Sequence, residues 1–311
     1  MSYFYKRKLR KIITEECISG IDLSLDLIEG MDWYVLPSLG SKELTKDDIE
    51  LDKLPKLYWQ RIVDHSNLVA FTTLTRNYEW VRGVVSAFEE KNFFSYCSNL
   101  RSLLESCADA YFTLKDLPKM LATEYRTIYE SIHDEIEFVY LDPDLELEKH
   151  LRHFLHASKN HSSKDEDTVF PKPAREYLNS LQSYLNTDDF SQLLDLWAVL
   201  CEIVHPASFS VNTFVHQRDE LAVLVNKSNW SQVHLLTFRN GARDILSKIL
   251  IEVMIKSFLV LKLTDLFVKE PNTYYTRYIS YLNDTKEWNE CLDEIAKSEE
   301  KYLGRLNRME D

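Results

Sequence analysis

Scarcity of glycine constrains this chain more than any other feature. Only 6 of its 311 residues are glycine, roughly 2% against about 7% in ordinary proteins. Glycine supplies the left-handed backbone that tight hairpins, bulges and phosphate-cradling loops require. Folds rich in β-hairpins and glycine-loop nucleotide sites are therefore short of material. With 8 prolines to break helices, the expected fold class is all-α: a central up-down helical bundle with additional N- and C-terminal helices packed around it. Hydrophobic residues make up 45% of the chain and charged residues 28%, the balance of a globular protein able to bury a core.

Apolar spacing predicts helices over 6–27, 67–90, 93–114, 120–141, 145–159, 174–185, 188–205, 229–269, 272–282 and 286–306. Two shorter helical pieces, 47–54 and 57–63, are expected on either side of Pro55. Asp188 is the expected N-cap of the 188–205 helix and Pro206 its stop. The polar segment 160–173 reads as an exposed loop. The run 207–227 is ambiguous, since Ser, Val, Asn and Thr alternate in it and 221–225 could form a strand. No repeat period is present. The expected organisation is a single domain over 1–311, with the central bundle at 67–208, an N-terminal helical extension at 1–66 and C-terminal helices at 209–311.

Several function classes have no support. The cysteines, Cys17, Cys97, Cys107, Cys201 and Cys291, are odd in number and contain no C-x-x-C pair, so neither a disulfide framework nor a zinc finger is expected, and a reducing cytoplasm is the natural compartment. The basic start lacks the apolar stretch of a secretory signal. The most apolar segment, 245–268, carries Lys248, Glu252 and Lys256 at i, i+4 and i+8; that wet stripe makes an amphipathic helix, and no membrane span is expected. G-x-G-x-x-G, G-x-x-x-x-G-K-[ST] and G-x-S-x-G are all missing. No cofactor is expected. The net charge of −13 disfavours nucleic-acid binding over a broad surface, while leaving room for a local patch. One candidate is the basic, aromatic arm holding Tyr3, Phe4, Tyr5, Lys6, Arg7, Lys8, Arg10 and Lys11, suited to RNA, a partner protein or an acidic patch of a second copy, or else simply a solvated helix start. Tyr274, Tyr275, Tyr278 and Tyr281 could anchor a protein interface or line a packed helix edge.

The most informative residues lie on two helices. On 93–114 the apolar face is Leu100, Leu103, Leu104, Cys107 and Tyr111, while Arg101, Glu105 and Asp109 step along another edge. On 188–205 an almost continuous apolar coat, interrupted by Asp195, Ala198, Glu202 and His205, predicts a helix central in its domain. Two readings of Arg101 and Glu105 stand side by side. They form an exposed intrahelical pair, or they point into the bundle towards His205. For His205, a helix C-terminal histidine favoured by the dipole is the competing reading.

Arg101-Ser-Leu-Leu-Glu105, followed about a hundred residues later by Trp197-Ala-Val-Leu-Cys-Glu-Ile-Val-His205-Pro206, resembles the HEPN-like helical proteins of bacteria. The likeness covers 67–208. That superfamily includes abortive-infection and toxin components, and membership implies an up-down bundle, often dimeric. In some members it also implies a metal-independent endoribonuclease whose Arg closely precedes a His. Here no Arg lies just upstream of His205, so the matched residues are Arg101, Glu105, Glu202 and His205. The resemblance implies a component of a defence or stress system that binds protein or RNA and forms a homo-oligomer.

The chemistry of those residues follows from their types. Metal-free RNA cleavage needs a base near the 2′-OH, an acid at the leaving oxygen and a cation for the phosphorane charge. Histidine serves the first two near neutral pH and arginine clamps phosphate. A third reading is a di-metal bundle, because Glu130-x-x-His133 and Glu202-x-x-His205 have the spacing of di-iron proteins, with Glu105 and Glu176 as lone carboxylates. Helical phase opposes it: Glu130 lies roughly 150° from the face of Leu121, Tyr125, Ile128 and Ile132, and is expected in water. His150, His153, His156 and His161 cluster without a Cys or spaced carboxylate to complete a metal set, and read as a solvated face.

Overall fold

Apolar residues recurring at helical spacing, with few glycines to interrupt them, produce a chain whose regular structure is almost wholly helical. The computed structural model describes residues 1–29, 54–133, 146–157, 170–205, 210, 215–218, 221–224, 227–267 and 280–309. In chain order the helices are α1 (Tyr3–Leu9), α2 (Glu15–Glu29), α3 (Leu54–Glu89), α4 (Phe93–Leu114), α5 (Leu117–Thr123), α6 (Tyr125–Ile132), α7 (Glu146–His156), α8 (Ala174–Ser180), α9 (Thr187–Val204), α10 (Lys227–Asp265) and α11 (Lys286–Met309). Short 3-10 turns occupy Leu181–Ser183 and Ser280–Asp284. Between α9 and α10 a two-stranded antiparallel hairpin, β1 (Val215–Arg218) and β2 (Leu221–Leu224), pairs Val215 with Leu224 and Arg218 with Leu221. The fold class is all-α, with this hairpin inserted in the ambiguous run 207–227.

Contacts divide the chain into two compact units. The first takes Met1–Leu25, Thr73–Phe112 and Lys172–Met254; the second takes Asp26–Thr72, Thr113–Pro171 and Ile255–Asp311. The first unit is built on the α4 face that the sequence predicts. Leu100, Leu103, Leu104 and Cys107 are wholly buried, together with Cys17 and Ile13, and Val253 and Ile249 of α10 join them in the core. The approach of α2 to α10 is close, and the flexible end of the Met254 side chain fills the space beside Gly20. A Cβ on Gly20 would stand 2.8 Å from Cε of Met254.

In this unit α9 buries Leu193, Leu200 and Ile203, and its polar strip of Asp195, Ala198 and Glu202 is exposed, together with Val199. Its N-cap is Asn186 rather than Asp188. The Asn186 side chain accepts from the Asp189 N–H at 2.9 Å and donates back to the Asp189 carboxylate at 2.8 Å. An amide two positions earlier reaches the free helix N–H, while Asp188 already lies in the first turn, where its charge suits the dipole. Asn186→Ala is expected to cost about 1 kcal/mol of stability, read as a lower denaturation midpoint at unchanged slope.

The second unit contains two further departures. Helix α3 begins at Leu54 with Pro55 as its second residue, where the missing N–H has no helical partner to lose, and it joins the expected 57–63 and 67–90 pieces into one helix; residues 47–53 lie outside the described residues. Polar residues further along the helix find partners instead of breaking it. The Ser66 hydroxyl donates to the Ile62 carbonyl at 2.8 Å, Gln60 donates to Asp64 at 3.1 Å, and Thr264 donates to Asn67 at 2.6 Å. The described part of the predicted 120–141 helix belongs to two helices, α5 and α6, separated at Glu124 (φ −94°, ψ 11°), and 134–141 lie outside the described residues.

Glu130 is the clearest correction. The expectation placed it in water, yet it is 2% exposed and paired with Arg126 one turn earlier. Helix α11 packs on α5 and α6 and covers the face that apolar phase alone assigns to solvent. There the Ser298 hydroxyl accepts from the Arg126 N–H at 3.1 Å, and the Arg126 guanidinium lies 5.1 Å from the ring centre of Tyr302.

All five cysteines are free, and Cys17, Cys97, Cys107 and Cys291 are buried. Burial pushes the Cys97 and Cys107 thiols up to about 12 from an ordinary value of 9.0. An unfolded chain loses these protons first as pH rises, so stability is complete below pH 9 and falls between 9 and 12. Each thiol contributes a loss of about 1.4 kcal/mol per pH unit in that window. Replacing both Cys97 and Cys107 by alanine is expected to flatten the alkaline arm of a plot of denaturation free energy against pH.

Candidate functional site

The site is assembled from α4 and the end of α9, both in the first unit. Helical rise puts residues 101 and 105 one turn apart on the same edge of α4, next to its buried Leu100–Leu104 face. Arg101 donates from Nε to Oε1 of Glu105 at 2.9 Å. The same oxygen accepts the Trp197 indole N–H from α9 at 3.0 Å. One carboxylate oxygen therefore ties the two helices together and holds the guanidinium in one orientation. Arg101 and Glu105 retain 21% and 29% of their side-chain exposure, so the cluster is at the surface and open to a ligand.

His205 closes the arrangement. The residue before a proline is driven out of the helical region, and His205 precedes Pro206. Its backbone is extended (φ −79°, ψ 152°), and its N–H still caps the helix by donating to Cys201 O at 3.0 Å. This exposed residue places Nε2 at 3.1 Å from Nη1 of Arg101. Arginine only donates, so Nε2 accepts with its lone pair and Nδ1 carries the ring proton. The two readings are thus combined: Arg101 forms the intrahelical pair with Glu105 and also meets His205, while His205 is both cap and contact. They meet at the surface, not in the interior.

Glu202, one turn before His205, is exposed, and its charge reaches Cys201. That thiol is raised by burial, lowered by Arg101 and raised again by Glu105 and Glu202; the upward shift keeps it a neutral thiol, unsuited to nucleophilic attack. Trp197 is the participant that sequence reasoning missed. It stands in the apolar stripe of α9, and the only available signal was that a buried or half-buried indole N–H usually finds an acceptor.

The metal reading finds no assembled ligand set. Among the described residues no group of three or more His, Cys, Asp and Glu could hold a metal ion. Glu105, Glu202 and His205 belong to the first unit and Glu130 and His133 to the second. Glu130 is engaged by Arg126, and the exposed Glu176 lies 3.9 Å from Lys172. His150 and His153 lie on α7, and His161 lies outside the described residues.

The N-terminal arm is mostly tied down. Lys6 pairs with Asp22, Arg10 with Glu15 at 2.7 Å and Lys11 with Glu89 at 2.8 Å, while Lys8 lies over the ring of Phe4. Tyr3 and Phe4 remain 77% and 67% exposed. Of the tyrosine stripe only Tyr281 is described; it is exposed, with its ring 6.1 Å from that of Phe258. No helix among the described residues is long and apolar enough to cross a membrane. Compared with known proteins, the chain matches no family model, no curated protein and no solved structure.

Proposed function

We propose that this chain is a HEPN-like helical component of a bacterial defence or stress-response system that works in the cytoplasm by binding RNA or a partner protein. The observation that carries the reading is the 3.1 Å contact between Arg101 Nη1 and His205 Nε2. A guanidinium held by a carboxylate that an indole N–H anchors in turn, set against an exposed imidazole, is a small pre-organised donor for an anionic oxygen. Binding fits better than cleavage because the cluster offers one imidazole, whereas metal-free phosphodiester cleavage uses both a base and an acid. Glu105 is already committed to two donors and is a poor second proton carrier.

The alternative, a metal-independent endoribonuclease using Arg101 and His205, gains support from the same contact if a second copy of the chain supplies the missing acid or base. The di-metal reading has no comparable geometry. One set of measurements separates them. On the binding reading, Arg101→Ala weakens retention of single-stranded RNA or of the partner at least tenfold, with an unchanged circular dichroism spectrum and no cleavage products. On the nuclease reading, wild-type protein cuts RNA in EDTA and His205→Ala abolishes cutting. If Arg101→Ala and His205→Ala both leave binding and cleavage unchanged, the site assignment is wrong.

A further inference from the structure

The contact at the centre of the first-unit site holds in only one protonation state. Nη1 of Arg101 donates to Nε2 of His205 at 3.1 Å, and a guanidinium neither accepts a hydrogen bond nor gives up its charge. The imidazole is therefore neutral in this arrangement, with the lone pair of Nε2 turned to Arg101. That lone pair repels the anionic oxygen that the guanidinium attracts. A proton on Nε2 reverses the situation. Both ring nitrogens then donate, two cations stand face to face, and the contact gives way, leaving a donor on each helix for one ligand. Nε of Arg101 stays bonded to Glu105, so the guanidinium keeps its place.

Given the anion-binding reading of this cluster, on which the step rests, we infer that it takes up a phosphodiester group together with a proton. The proton passes from solvent to Nε2 of His205 as the phosphate enters between Nε2 and Nη1 of Arg101. Among the described residues, the charged and titratable groups around the imidazole are Arg101 and Glu105 of α4 and Cys201 and Glu202 of α9. Arg101 opposes a second positive charge, the two carboxylates offset it, and Cys201, raised by burial, stays a neutral thiol. His205 and Glu202 are exposed, so proton and ligand both arrive from solvent. A planar carboxylate is satisfied by a guanidinium fork alone, whereas a tetrahedral phosphate splays two oxygens and offers one to each helix. A phosphodiester also keeps its single charge throughout the range in which histidine titrates, while a phosphomonoester loses charge below about pH 6.

Calorimetric titration of the full chain with a short oligouridylate lacking terminal phosphates tests this, on wild type, Arg101→Ala and His205→Gln. It is run at pH 6, 7 and 8 in two buffers of different ionisation enthalpy, a range in which the probe itself does not titrate. Binding that weakens about tenfold or more from pH 6 to pH 8, with close to one proton taken up at pH 8 and no pH dependence in His205→Gln, supports the inference. Glutamine keeps a side-chain donor without a titrating group, and the helix cap survives because it uses the backbone N–H of residue 205. Binding that needs Arg101 but does not change with pH, or a pH dependence that persists in His205→Gln, overturns the proton coupling and leaves the anion-binding reading standing. If an oligoglutamate peptide shows the expected profile and the oligouridylate does not, the ligand is a partner's carboxylate and the phosphodiester assignment is overturned. No binding of either probe, or binding indifferent to Arg101→Ala, overturns the anion-binding reading and this inference with it.

Discussion

Replacing Arg126 by alanine is expected to destabilise the protein by about 3–5 kcal/mol, the cost of leaving a buried charge without its partner. The Glu130 carboxylate is 2% exposed and pairs with that guanidinium. The same side chain lies 5.8 Å from the ring centre of Tyr129 and 5.1 Å from that of Tyr302, so alanine also removes packing between α6 and α11. The double variant Arg126→Met, Glu130→Leu removes both charges together and is expected to recover most of the loss. Urea denaturation of the single and double variants checks this. Equal destabilisation in both would mean that packing, and not the unpaired carboxylate, sets the cost. Loss of α11 docking should appear as faster proteolysis within 286–309 in Arg126→Ala.

Phe93→Ala is the second large effect, expected at about 3–5 kcal/mol. Phe93 is 2% exposed at the start of α4, and three rings surround it. Phe94, His234 and Phe238 have centroids 5.7, 5.5 and 5.4 Å away. Alanine leaves a cavity between α4 and the first part of α10, whereas Phe93→Leu fills most of it and should cost less than about 1.5 kcal/mol. Both changes are read as shifts in urea midpoint. Because α4 carries Arg101 two turns further on, Phe93→Ala also tests how firmly the site is seated. Retention of RNA or partner binding in the destabilised variant would show that the α4–α9 contacts alone maintain it.

Much of the helical order and the main line of the site were legible from residue types. The α4 face of Leu100, Leu103, Leu104 and Cys107 is the buried face, because 3.6-residue periodicity is written directly in the side chains. Pro206 announces the end of α9 and the extended backbone of His205, because steric conflict with the proline ring is local. The pairing of Arg101 with Glu105 is likewise a matter of spacing on one helix. Asn186 as cap instead of Asp188, and α3 running unbroken from 57–63 into 67–89, were also encoded locally but in competition with equally good local alternatives.

Other features depended on what lies opposite in space. Glu130 is buried because α11 covers a face that periodicity marks as polar. Trp197 becomes a hydrogen-bond donor to Glu105 because α9 happens to bring an indole N–H to that oxygen. The meeting of Arg101 with His205 joins residues 104 positions apart. By itself the sequence determined that the chain is helical in class, which face of α4 is apolar and where α9 stops, since those properties follow from each residue and its near neighbours. Only the tertiary structure decided which polar atoms find partners and which charges are covered, since a desolvated group answers to whatever packs against it, however distant in the chain.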